Sequence, residues 1–402
     1  MTLRLRTALA LLAAIATSTS VLAPAGASHN DDDHSDNMAL LGSVVLNGAT
    51  DVEFTKDDYA VVTVNGSGEF AGLWTIDISD PRNPRAEGHL PCAGSGYDVG
   101  LWKNIAVMSS DSPSANSSTE DVGCNLKGTS NQEGIRLVDI TDRSNPKELS
   151  FVVTDCGSHT NVTFSRRINR KRHGFVYVQS YTASTSGTCA SAHQKISVVD
   201  ITKPRKAEVV ATPSVAPANG CHDGTVKGRY AYMACLSEGQ VWDISDPLAP
   251  EILSHITDVP DAIWHSTAIS NDGKTAAFGF ESFQGGTSSC NGTGLGIEGA
   301  IWFYDVSDPA APVQRGHFVP PRVVQGVCTA HNFDVVTGRD VIVTAWYNAG
   351  VMAIDFSDPA APAELAHYLP SGTNTWDAKW HDGYVYVGDS GRGLDVYEIE
   401  GL

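Results

Sequence analysis

Four histidines share one register of a repeating sequence: His159 in "SHTNV", His222 in "CHDGT", His265 in "WHSTA" and His331 in "AHNFD". Neutral imidazole is the commonest side-chain ligand of Zn, Cu and Fe, whereas Ca and Mg take oxygen ligands. Four imidazoles with no accompanying thiolate therefore specify a transition-metal site (Fe, Cu or Zn), provided that the fold brings them together. Otherwise each is a hydrogen-bonding turn residue, and the shared register reflects repeat duplication. The remaining copies carry Thr50, Tyr97 and Trp376 at this position, so the repeat itself does not demand histidine. Both readings stand at this point.

Residues nearby would complete such a site. A metal-bound histidine usually passes its second N–H to a carboxylate or carbonyl, and Asp223 and Glu281 are the candidates to accept it. Tyr97, Trp264 and Trp376 are expected to line an aromatic mouth above it. No catalytic residue is identified, because the chain has no G-x-S-x-G, H-E-x-x-H, Walker or dinucleotide motif. His89, His255, His317 and His367, in "GHL", "SHI", "GHF" and "AHY", occupy a second register on the outermost strands and are expected at the surface.

The elements that position these residues repeat. Six turns share one pattern: "TIDISDPRNP" from Thr75, "LVDITDRSNP" from Leu137, "VVDITKPRKA" from Val198, "VWDISDPLAP" from Val241, "FYDVSDPAAP" from Phe303 and "AIDFSDPAAP" from Ala353. A degenerate seventh, "GLDVYEIEGL", closes the chain. Internal similarity at this period marks a repeat architecture. Each copy contains four strand-like runs bounded by Gly, Asp and Pro, and seven such units predict an all-β fold, a seven-bladed β-propeller of four-stranded antiparallel blades. The first Asp of each turn is expected to accept backbone hydrogen bonds and to have no catalytic part. The last unit has three strands only, so the orphan run Ala39–Leu46 should supply its fourth and seal the ring. First strands are innermost in a propeller, which would set the histidines around the mouth of the central channel.

"LVDITD", "SVVDIT" and "MAIDFSDPAAP", with "YVYV"-type strands, resemble the LVIVD repeat of bacterial secreted and surface proteins. The resemblance runs from Ala39 to Leu402. It implies a propeller and an extracytoplasmic setting, and it carries over no catalytic residue.

The leader "MTLRLRTALALLAAIATSTSVLAPAGA" has the order of a secretory signal peptide cleaved near Ala27, with an acidic, flexible tail expected over residues 28–38 and the propeller over 39–402. Eight cysteines agree with an oxidising compartment. All eight map to the face that carries the histidines, and proximity pairs Cys92 with Cys124, Cys156 with Cys189, Cys221 with Cys235, and Cys290 with Cys328. The long insertions 109–134, 180–194 and 282–296 lie on that face too, which marks it as the working side. A net charge of −19 disfavours nucleic acid and anionic lipid. No later apolar run reaches the length of a membrane span. The expectation is a secreted monomer with either a metal-dependent oxidase or oxygenase activity on a small molecule, or a non-catalytic scaffold presenting loops to an extracellular protein or glycan.

Overall fold

The structure, a computed structural model, describes residues 32–66, 68–92, 98–110, 124, 134–154, 158–179, 194–282, 297–324 and 326–402. Seven antiparallel sheets follow one another along the chain. Their innermost strands are Ala49–Phe54, Val99–Trp102, Thr160–Ile168, Asp223–Lys227, Trp264–Ile269, Phe333–Val335 and Thr375–His381, for blades one to seven in that order. The fold is thus the expected seven-bladed β-propeller. Second strands such as Tyr59–Val64 are buried almost throughout, and the apolar clusters lie between neighbouring blades. Tyr232 and Val241 of blade four, for example, pack with Trp264 and Phe278 of blade five.

Blade seven closes the ring. Its outer strand is Met38–Val45, paired with Gly393–Ile399 in a register from Met38 opposite Ile399 to Val45 opposite Gly393. Met38–Val45 and Gly393–Ile399 are therefore one sheet, and Gly393–Ile399 is not left as an open edge. Blade six differs from the expectation. Asp33 and His34 add a fifth strand outside Ala363–Leu369, with His34 stacked on Tyr368 at 5.0 Å. The Asp32 carboxylate accepts hydrogen bonds from Tyr368 Oη and the Ser371 amide. The described part of the acidic segment is therefore paired, not a flexible tail, because the backbone edge of blade six offers it partners.

The six Asp turns do structural work, as expected. Oδ1 of Asp77, Asp139, Asp200, Asp243, Asp305 and Asp355 accepts the amide N–H two residues on, at 2.8–3.0 Å. The turns also dock between blades. Ser150 Oγ donates to the carbonyl of Pro204 in the next blade's turn, and Ser254 Oγ to that of Pro309. Where glycine holds this place there is no room for more: a Cβ on Gly316 would stand 2.6 Å from the Pro359 carbonyl oxygen, and one on Gly42 2.6 Å from Pro84 Cδ. This explains why a small residue precedes the outer-strand histidine in "GHL", "SHI", "GHF" and "AHY". Three of the histidines meet the third strand, and His367 meets a residue of its own strand. His89 stacks on Trp74 at 3.9 Å and His317 on Trp302 at 4.5 Å, while His255 bonds Glu238 and His367 bonds Glu364.

Two of the expected disulfides are present, Cys92–Cys124 and Cys221–Cys235. Cys156, Cys189 and Cys290 lie outside the described residues, and with them the other two pairings. Tyr97 and most of the three long insertions lie outside them too.

Candidate metal centre

The inner strands are stitched together around the channel. Asp51 Oδ2 of blade one accepts the Val99 N–H of blade two at 2.7 Å, and Asp98 Oδ2 accepts the Asn161 N–H of blade three at 2.8 Å. Thr160 Oγ1 donates to the His222 carbonyl, and Ser266 Oγ to the His331 carbonyl. Asp377 Oδ2 completes the circle by accepting the Val52 N–H at 3.1 Å. The two remaining joints use histidine: His222 Nδ1 bonds the His265 carbonyl at 3.0 Å, and His331 Nδ1 bonds the Trp376 carbonyl. A carbonyl only accepts, so Nδ1 carries the proton in both rings.

That comparison isolates what histidine adds. Thr160 and Ser266 donate to a carbonyl of the next blade in the same way, and Asp51, Asp98 and Asp377 bridge by accepting an N–H, so the joint does not need imidazole. What imidazole brings is a second nitrogen, Nε2, left as a lone-pair donor once Nδ1 is committed. A backbone carbonyl that fixes tautomer and ring direction is the usual outer partner of a metal-bound histidine.

The four rings form a continuous arc along the rim. Neighbouring centroids lie 4.5 Å apart from His159 to His222, 3.7 Å from His222 to His265, and 4.3 Å from His265 to His331. His222, His265 and His331 are buried, and His159 is half-buried. Burial holds His222 and His265 well below the ordinary imidazole value, and His331 at about 4, with the neighbouring imidazoles adding to the effect. His222, His265 and His331 are thus neutral at pH 7, each with a lone pair on one ring nitrogen.

The arc does not converge on one point as the shared register suggests. Among the described residues, the ligand atoms at this rim that lie within 4.8 Å of one another belong to His265, His331 and Glu281. His265 begins its blade's inner strand as the residue of a β-bulge, between Trp264 and Ser266, and bulges re-aim side chains. Glu281 follows the second strand of the same blade, Thr275–Phe280, and its amide bonds the Ile263 carbonyl at 3.0 Å. Its Oε2 lies 3.4 Å from His265 Nε2, off the line of a hydrogen bond, while its Oε1 accepts the Tyr347 hydroxyl. Burial pushes the Glu281 carboxyl up to about 7, with the Tyr347 hydrogen bond pulling the other way.

Tyr347 is the residue that sequence reasoning missed. It sits just beyond the second strand of blade six, Val341–Ala345, at φ +48°, and its ring edge faces His331 at 4.8 Å. Leu236 holds the corresponding place in blade four at φ +56°, with the same backbone pairing to the next blade, Leu236 to Trp264 and Tyr347 to Thr375. The signal was this register, one or two residues past a second strand and paired with the start of the next blade's inner strand.

The other expected site residues divide. Trp376 stands at the mouth, 5.0 Å from the His331 ring and 5.9 Å from Tyr347. Trp264 does not: it is fully buried between blades four and five, against Phe278, Phe280 and Tyr304. The bulge at His265 separates the directions of the two side chains. Asp223 faces the channel, where its Oδ1 accepts the Gly224 N–H at 2.6 Å; the partner of His222 Nδ1 is a carbonyl instead.

Below the arc lies a channel cavity of about 470 Å³, lined by Asp51, Asp98, Asp223, Asp334 and Lys379 among others. Asp51 and Asp98 are stitching groups already described, and Asp334 Oδ2 accepts the Trp380 N–H of blade seven at 3.2 Å. Lys379 Nζ is 3.4 Å from Glu53 Oε1, and the surrounding carboxylates hold its ammonium well above the ordinary lysine value, against the effect of burial.

The LVIVD-repeat family model matches residues 222–258 and 372–399, so the chain carries LVIVD repeats. No curated protein matches the sequence. Among solved structures, the chain is similar to the β-propeller domain of Cps50 (Swd1) from Myceliophteria thermophila, with TM-score 0.58 and 10% identity over 90% of this chain and 99% of that one. It is also similar to the WD40 β-propeller domain of Doa1, with TM-score 0.59 and 9% identity over 91% of this chain and 99% of that one. At such identity the likeness shows the fold alone.

Proposed function

We propose that this chain is an exported propeller that holds a transition-metal ion at the top of its channel, within the imidazole arc of His159, His222, His265 and His331. The observation that carries this reading is the tautomer lock: His222 and His331 spend Nδ1 on a joint that Thr and Ser make elsewhere, which leaves the lone pair on Nε2. Neutral, buried imidazoles suit Fe, Cu or Zn. An ion there with an open position would polarise a bound small molecule or take up dioxygen, which makes an oxidase or oxygenase the activity to seek. The leader sequence and the disulfides support the exported setting.

The competing reading is a scaffold whose stapled loops bind a protein or glycan, with the histidines serving as joints alone. Two disulfides on the histidine face favour it. Elemental analysis of untagged protein, purified without chelator, separates the two. Near-stoichiometric Fe, Cu or Zn supports the metal centre, and protein that stays metal-free after incubation with each ion supports the scaffold.

A further inference from the structure

Resting on that metal reading, we infer that Glu281 is itself a ligand, so that the centre is a two-histidine, one-carboxylate set of His265, His331 and Glu281 with Tyr347 as its positioning residue.

Distance is the first argument. Two atoms each roughly 2.1 Å from a shared ion, at a tetrahedral angle, stand roughly 3.4 Å apart. The observed separation of Glu281 Oε2 and His265 Nε2 is 3.4 Å, without hydrogen-bond alignment. All three ligand atoms lie within 4.8 Å of one another, a set that includes neither His159 nor His222.

Charge is the second. Glu281 is 5% exposed, and among the described residues no Lys or Arg forms an ion pair with it. A carboxylate without a cation is costly to bury. A divalent ion between Glu281, His265 and His331 supplies the missing charge and occupies Oε2.

Tyr347 fixes the arrangement. Its hydroxyl holds Oε1, which leaves Oε2 as the single donor toward the histidines, and its ring packs on His331. Its left-handed backbone is held by reciprocal hydrogen bonds with Thr375, at 3.2 and 3.1 Å. Ligand and orienting group thus come from blades five and six, and the ion would bridge the two. Two neutral imidazoles and one carboxylate favour a divalent ion such as Fe²⁺, Mn²⁺, Co²⁺ or Zn²⁺ over Cu⁺, and leave coordination positions open for substrate.

Cobalt(II) tests this, because its visible absorption reports the ligand set. The full chain, stripped with chelator, is titrated with Co²⁺ alongside Glu281→Gln, Tyr347→Phe and His159→Ala, with the melting temperature of each stripped protein as the folding control. The expected result is one bound Co²⁺ for the parent and for His159→Ala, with the same spectrum. Glu281→Gln should lose at least about 100-fold in affinity and shift its bands; Tyr347→Phe should bind roughly 10-fold more weakly. Parental affinity and spectrum in Glu281→Gln, with loss in His159→Ala, would overturn the carboxylate set while leaving an all-imidazole centre. A parent that binds no Co²⁺, Zn²⁺ or Fe²⁺ would remove the metal reading altogether.

Discussion

Cys221 and Cys235 are joined by a disulfide that spans the strand pair carrying His222, and Leu236, the next residue, exchanges backbone hydrogen bonds with Trp264 beside His265. One covalent clamp therefore bears on two neighbouring rings of the arc. Its 14-residue separation closes a loop worth about 3 kcal/mol in the chain-entropy account. The double variant Cys221→Ser, Cys235→Ser should lose stability of that order in urea unfolding. An unchanged midpoint would mean that the β-ladder alone holds this corner.

Removing residues 38–45 takes away the outer strand of blade seven and opens Gly393–Ile399 as an unpaired edge. The truncated protein should melt well below the parent and self-associate in sedimentation. Adding the excised segment back as a peptide should restore part of the lost stability. A truncated chain that melts with the parent would show that the ring does not depend on this closure.

Gly316 tests the docking of the Asp turns. A valine there drives its side chain into the carbonyls of Pro359 and Ala360, and overpacking of this kind costs about 1–3 kcal/mol. Gly68→Ala, at a position with nothing within 4 Å, is the neutral comparison. Equal stabilities for the two variants would contradict the close approach.

The stability of the metal-free protein should depend on pH with two opposed contributions. His331 is held at about 4 against an ordinary 6.5, so the unfolded chain takes up a proton between those values while the folded chain does not. Its contribution is present above pH 6.5 and is lost as pH falls toward 4, by about 3 kcal/mol at most. Glu53 is pushed up to about 6 by burial, so it acts in the reverse sense: the folded state binds the extra proton between 4.5 and 6, and stability rises as pH falls through that window. With 35% of its side chain open to the channel, Glu53 has the smaller effect. Unfolding measured from pH 7 to 4.5 should show a gentler acid loss in His331→Gln and a steeper one in Glu53→Gln. Identical slopes in the parent and both variants would refute the assignment.

The blades were legible in the sequence because strand alternation and Asx turns are local events, the strands repeated in seven copies and the Asx turn in six. The histidine register was legible for the same reason: each ring opens an inner strand. Convergence was not. His265 meets Glu281 through a bulge, and Tyr347 arrives from the next blade, contacts that no local pattern encodes. Trp264 was misplaced by adjacency to His265: its ring packs between blades four and five, while the bulge aims His265 elsewhere. The ordered Asp32–His34 segment escaped notice because an acidic composition says nothing about an available sheet edge a few residues away in space.

The metal centre is tested by equilibrium dialysis of the stripped, untagged protein against Zn²⁺, in parallel with the double variant His265→Ala, His331→Ala. The metal centre predicts one tightly held equivalent for the parent and none for the variant, both remaining folded by circular dichroism. Equal zinc in the two, or none in either, would contradict it.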